Sequence, residues 1–116
     1  VKLLTWHIAG TVPKGTGLRE TYRLDGEYVP VRAWVHLGTA PLGDDPLILD
    51  INVDGVSIFA FRPLIITKET DYVQDSIRTF SAAVFIKDAM VTLDVDQVGS
   101  GEPGKDMTVG LELFEA

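Results

Sequence analysis

Residues 29–37 read VPVRAWVHL: Val29, Val31, Ala33, Val35 and Leu37 recur at every second position, with Pro30, Arg32, Trp34 and His36 between them. A period of two is what a strand shows when its side chains alternate between a buried and a wetter face. The same alternation runs outward from this stretch in both directions. Leu4, Trp6 and Ile8 alternate with Thr5 and His7, and Leu47, Leu49, Ile51 and Val53 with Ile48, Asp50 and Asn52. Downstream, Phe80, Ala82, Val84 and Ile86 form an apolar set. Val91, Leu93 and Val95 alternate with Thr92, Asp94 and Asp96, and Met107, Val109, Leu111 and Leu113 with Thr108, Gly110 and Glu112. Two turns punctuate these runs. Asp54-Gly55 suits a tight type I′ hairpin, whose two central residues both need positive φ, and Lys87-Asp88 suits a second turn.

The spacing predicts seven strands near 2–9, 28–38, 47–54, 56–61, 77–86, 89–98 and 106–115, with a weaker eighth around Glu20 to Leu24. No segment has a comparable helical pattern, although 62–76 has room for one short helical turn. Seven or eight antiparallel strands, each with one oily face, are best satisfied as two sheets packed about 10 Å apart. The fold class expected is therefore an all-β, antiparallel two-sheet β-sandwich, formed by residues 1–116 as a single domain. Eight strands favour a jelly roll and seven an immunoglobulin-like order; strand order itself is not written in periodicity.

Composition narrows the function classes. Seventeen acidic residues against ten basic ones give a net charge of -7, which repels a phosphate backbone. The basic residues are scattered from Lys2 to Lys105 without a stripe, so no direct nucleic-acid partner is expected. The absence of cysteine removes thiol catalysis, thiolate metal sites and disulfides. No stretch approaches the roughly 18 apolar residues that span a bilayer, so membrane insertion is not expected and the chain reads as soluble.

The motifs that carry chemistry are thin. Asp50, Asn52, Asp54 and Gly55 reproduce the opening of a calcium loop, but its twelfth position, where a bidentate Glu belongs, is Phe61. A wet strand face followed by a turn is the expected reading. Asp94 and Asp96 share one strand face. His7 and His36 both sit in the polar phase and would meet only if their strands were neighbours, with no third ligand at metal-binding spacing. Ser57, Ser76, Ser81 and Ser100 lack a nucleophile elbow, and Gly15-Thr16-Gly17 is too little for a phosphate loop. No enzyme, metal or cofactor is expected. Trp34 stands out as a large ring in the polar phase of its strand, to be covered by a loop, by another subunit or by a ligand.

With these strands and loops laid out, the chain resembles a small β-sandwich module of tailed-bacteriophage virion proteins. The phrases that carry the likeness are GTAPLG at 38–43, LILDINVDGVSIF at 47–59, RP at 62–63, VTLDVDQVGS at 91–100 and PGKDMTV at 103–109. The resemblance implies a non-enzymatic virion component contributing protein–protein contacts in a tail or as capsid decoration, located in the virion, with other virion proteins as partners. It departs from the family's pattern at Phe59-Ala60-Phe61 and Leu64, where the family has threonine-rich residues and an Arg-Pro-Thr-like segment. A carbohydrate- or receptor-binding module, with Tyr22, Tyr28, Trp34 and Tyr72 as glycan platforms, is the alternative. Self-association is expected through Trp34 with Leu64, Ile65, Ile66 and Tyr72, three consecutive bulky residues after Pro63 needing cover. A trimer is the order that the resemblance implies.

Overall fold

The computed structural model describes residues 1–60, 63–76 and 80–116. Among them are nine strands: β1 Lys2–Thr11, β2 Tyr22–Arg23, β3 Tyr28–Thr39, β4 Leu47–Val53, β5 Val56–Ser57, β6 Leu64–Ile66, β7 Tyr72–Ser76, β8 Met90–Gln97 and β9 Lys105–Glu115. Every pairing between them is antiparallel. Sheet 1 has the order β1-β9-β3-β7, and sheet 2 the order β2-β8-β4-β5, with β6 also paired to β4. The architecture is an all-β, two-sheet sandwich of jelly-roll-like form.

The alternation explains what lies between the sheets. Sheet 1 turns inward Leu4, Trp6 and Ile8 from β1, Ala33, Val35 and Leu37 from β3, and Met107, Val109, Leu111 and Leu113 from β9. Leu47, Leu49 and Ile51 of β4 and Val91, Leu93 and Val95 of β8 meet them from sheet 2. Burying one such aliphatic side chain contributes about 1.5–3 kcal/mol, so this interleaved layer is the main stabilising element. On one side the sheets are tied together. The Trp6 indole donates to the Glu20 carbonyl at 2.7 Å, and the Tyr22 hydroxyl to the Thr5 carbonyl at 2.5 Å. Trp6 and Tyr22 meet edge to face at 5.3 Å.

The Asp54-Gly55 turn forms as expected, with φ of 50° and 82°. Asp54 also accepts the Met90 amide, which fastens the hairpin to β8. The Lys87-Asp88 turn forms too, with Asp88 at φ 70° and ion-paired to Arg23 at 2.8 Å.

Four expectations change. In β3 the pairing with β9 slips between Pro30 and Arg32, leaving Val31 as an extra residue. This β-bulge reverses the phase, so Tyr28 and Pro30 are buried whereas Val29 and Val31 are only half-buried. The strand expected at 77–86 is absent from Phe80 onward, where only isolated bridges from Phe80 to Phe59 and from Phe85 to Tyr28 occur; 77–79 lie outside the described residues. Phe80 and Phe85 point in, while Val84 and Ile86 are exposed. The strand expected at 56–61 is reduced to β5, with Phe61 outside the described residues. Finally, 64–76 holds β6 and β7 instead of a helical turn, because Leu64–Ile66 pairs with β4 and Tyr72–Ser76 with β3.

Candidate functional site

The outer face of sheet 1 can be read row by row from the strand register. Leu3, Glu112 and Arg32 form one row; Thr5, Gly110, Trp34 and Gln74 the next; His7, Thr108, His36 and Tyr72 the third. Phe114 lies beyond Glu112 on the same face of β9, opposite Val29. The charges in these rows cancel: Arg32 is ion-paired with Glu112 and also donates to Gln74 at 3.1 Å. His7 is hydrogen-bonded to Thr108 at 2.9 Å, and Tyr72 donates to Gln74 at 2.8 Å. The result is an uncharged surface with aromatic rings, a binding surface in its chemistry rather than a catalytic one.

Trp34 is half-buried because it lies down on its own sheet. A Cβ at Gly110 would fall 2.2 Å from Trp34 Cε2 and 2.3 Å from Cζ2, so only glycine admits the ring at this position. Glycine weakens a strand interior, and one found there marks a close approach of this kind.

The candidate interface residues separate. Trp34 and Tyr72 share the outer face of sheet 1, Tyr72 being exposed and Trp34 half-exposed. Leu64 and Ile66 are buried in the core, so their cover is internal and the case for three uncovered residues is corrected to one. Ile65 is half-buried on the outer side of sheet 2, opposite Ile48 and on a different face from Trp34.

Sheet 2 presents the opposite electrostatic character. Asp50 stands directly across from Asp94, and Asp96 follows two residues on, while neither β4 nor β8 carries a Lys or Arg. Ser57 donates to Asp50 at 2.6 Å, and Asn52 and the Gly17 amide both donate to Asp94 at 2.8 Å. Burial pushes the Asp50 carboxyl up, and the charges of Asp96 and Asp94 push it further, against the lowering effect of the Ser57 hydroxyl. Asp50 and Asn52 thus belong to the wet strand face and Asp54 to the turn, not to a calcium loop. His7 and His36 do become neighbours, on either side of Thr108. Among the described residues no group of three or more His, Asp or Glu is placed to hold a metal ion.

Two further features lie outside both faces. Tyr28 donates its hydroxyl to Asp25, and Lys2 Nζ sits 3.5 Å from that carboxylate and 5.6 Å from the centre of the Tyr28 ring. The hydrogen bond with Asp25 raises the Tyr28 phenol to about 12, and the same bond holds the Asp25 carboxyl below its usual range. The second feature is an apolar groove of about 140 Å³ between the β4–β5 hairpin and the 81–86 connection. Sequence reasoning missed this groove because it placed Val84 and Ile86 inward. It also passed over Gly110, although a mid-strand glycine was there to be read.

No protein-family model matches the chain, and no curated protein matches it. Among solved structures it is similar to the Drosophila NLP core, a crystal structure described as giving insight into pentamer formation and histone binding. The TM-score is 0.50 at 14% identity, over 96% of this chain and 98% of that one. At that identity the likeness is one of fold.

These findings correct the resemblance to tailed-phage virion modules. With it fall a role in a tail or on a capsid surface, virion proteins as partners, location in a virion and a trimer as the order of assembly. The fold relative is a pentamer-forming, histone-binding core instead. The phrases behind the resemblance are alternating strands and an Asp-Gly turn, which any antiparallel sandwich of this size needs, so they report architecture rather than lineage. The carbohydrate- or receptor-binding alternative is corrected on the same finding, and its platform is not assembled. Tyr22 packs on Trp6 and Tyr28 is buried, whereas Trp34 and Tyr72 lie on the outer face of sheet 1.

Proposed function

We propose that the chain is a non-catalytic, self-assembling acidic module, with residues 1–116 as one sandwich domain. In this reading, copies join through the outer face of sheet 1, and the carboxylate face of sheet 2 is offered to basic protein segments such as those of histones. The observation that carries the reading is the segregation of charge between the two outer faces. A chain of net charge -7 repels its own copies. The sheet 1 face is where that repulsion is least, because Glu112, the acid beside the Trp34 row, is neutralised by Arg32. Trp34 and Tyr72 supply the aromatic area that protein interfaces favour. On sheet 2, Asp50, Asp94 and Asp96 form a stripe on two strands that carry no Lys or Arg, suited to lysine-rich chains. The fold shared with a pentamer-forming, histone-binding core supports a pentameric ring and a histone partner together.

Calorimetric titration of the folded protein with core histones tests the partner. Binding that weakens steeply as salt rises, and that is reduced in an Asp50→Asn, Asp94→Asn, Asp96→Asn triple variant, is the expected result. No binding by the wild type, or unchanged binding by the triple variant, would overturn it.

A further inference from the structure

Residues 13–21, between β1 and β2, form a strap along the outer edge of β8. Gly15 pairs with Val95 through two main-chain hydrogen bonds, at 3.0 and 2.8 Å, and the Leu18 amide donates to the Leu93 carbonyl at 2.8 Å. β2 continues the same line, with Tyr22 opposite Val91. From Gly15 to Tyr22 the chain takes seven residue steps, against four on β8 from Val95 to Val91, so the strap bulges. Gly17 and Arg19, at φ 58° and 59°, make the bends. Within 13–21 only Gly15 and Leu18 are not exposed, and segments with so few buried contacts open ahead of the core.

The bulge rides up onto the outer face of sheet 2. There the Gly17 amide donates to Asp94 Oδ1, while Asn52 donates to Asp94 Oδ2, both at 2.8 Å. Asp94 is accordingly half-buried, whereas Asp96 is exposed. The strap and β2 also carry a charge unlike that of the whole chain: Lys14, Arg19 and Arg23 are three of the ten basic residues, against one acid, Glu20. Arg23 is paired with Asp88, but Lys14 and Arg19 are exposed and form no ion pair among the described residues. The antiparallel bridge from Gly15 to Val95 makes Lys14 and Asp96 the next facing positions. The chain thus lays a basic segment of its own beside its carboxylate stripe.

We infer that the 13–21 strap is an autoinhibitory contact, a basic segment laid beside Asp94 and Asp96 that a lysine-rich partner displaces to reach them. This rests on the reading of sheet 2 as the partner face and adds its regulation. While the strap is seated, the Gly17 amide caps Asp94, and the charges of Lys14 and Arg19 repel an incoming lysine chain. Once it lifts, both carboxylates of β8 face the partner alone.

The test is calorimetric titration with deca-lysine of wild type, of a Lys14→Gln, Arg19→Gln variant and of a Lys87→Gln, Lys105→Gln control. The control changes the net charge equally, at the far end of β8 and on sheet 1. All four positions are exposed, so folding should be retained, and circular dichroism checks it. The strap variant should bind roughly three-fold or more tightly than wild type at low salt, and the control should gain clearly less. Amide exchange followed by NMR supplies the second readout: in the wild-type complex the Gly15 and Leu18 amides should lose protection. If deca-lysine binds but both variants gain equally, or those amides stay as protected as in the free protein, the strap is overturned while the partner face stands. If neither wild type nor the strap variant binds, both fall.

Discussion

Trp34 lies across Gly110, its indole occupying the space that a side chain there would fill. The two residues are direct cross-strand partners in β3 and β9, so the glycine serves as the floor of the aromatic site. Gly110→Ala should therefore lift the ring off the sheet, with a loss of stability of about 1–3 kcal/mol from overpacking. The measurement is chemical denaturation, with the Trp34 indole followed by NMR. In the Trp34→Ala background the same glycine change should be far less harmful, since the clash is gone. Equal losses in both backgrounds would mean that the ring is not what excludes the Cβ.

Trp34→Ala should weaken association by about 2 kcal/mol if the ring is central to the interface, as buried aromatic anchors commonly are. Sedimentation equilibrium over a broad concentration range measures this. An unchanged oligomer in the folded variant would remove Trp34 from the contact.

Asp50 carries a folded-state cost at neutral pH, and the sign follows from its raised carboxyl. A group that holds its proton more tightly when folded stabilises the fold at low pH, and that contribution is lost as pH rises through the raised value. Asp50→Asn should thus raise Tm at pH 7, corresponding to about 0.5 kcal/mol, first because an amide escapes the cost of burying a charge and then because the repulsion from Asp96 and Asp94 is relieved. The gain should shrink in acid below the ordinary carboxylate range. Thermal melts at both pH values decide it, and a lower Tm for the variant at pH 7 would contradict the account.

Asp25 behaves in the opposite sense. Its carboxyl is held low, first by the Tyr28 hydroxyl and then by Lys2, so its contribution is present above the ordinary carboxylate value and is lost as pH falls through the lowered one. Tyr28→Phe removes the donor and keeps the ring. The Asp25 titration, followed by carboxyl NMR, should move up toward the ordinary range, and acid unfolding should begin at higher pH. An unmoved titration would show that the hydrogen bond is not the cause.

Periodicity was a faithful guide where strands run regularly between two sheets. The inward sets of β1, β4, β8 and β9 are those read from the alternation, and Asp54-Gly55 turned as its chemistry requires. It failed where pairing, not pattern, sets the phase. The extra residue at Val31 flips the first part of β3, and no local signal announces a bulge within VPVRAWVHL. In 80–86 the anchors are long-range bridges from Phe80 to Phe59 and from Phe85 to Tyr28, so Phe80 and Phe85 turn in although an alternating strand would place them on opposite faces. Leu64, Ile65 and Ile66 looked like one apolar patch until β6 paired with β4 and sent two of them inward. Trp34 was legible as an outward ring, yet its floor at Gly110 depends on which strand lies beside β3. The same holds for the opposition of Asp50 to Asp94: each was legible as a wet-face acid, and only the register makes them partners.

Self-assembly through the outer face of sheet 1 is the claim on which the rest depends. Native mass spectrometry of the wild-type 12.7 kDa chain across a broad concentration range tests it most directly. The account predicts one dominant closed species, a pentamer, persisting on dilution until it gives way to folded monomer. A chain that stays strictly monomeric at every concentration would contradict it.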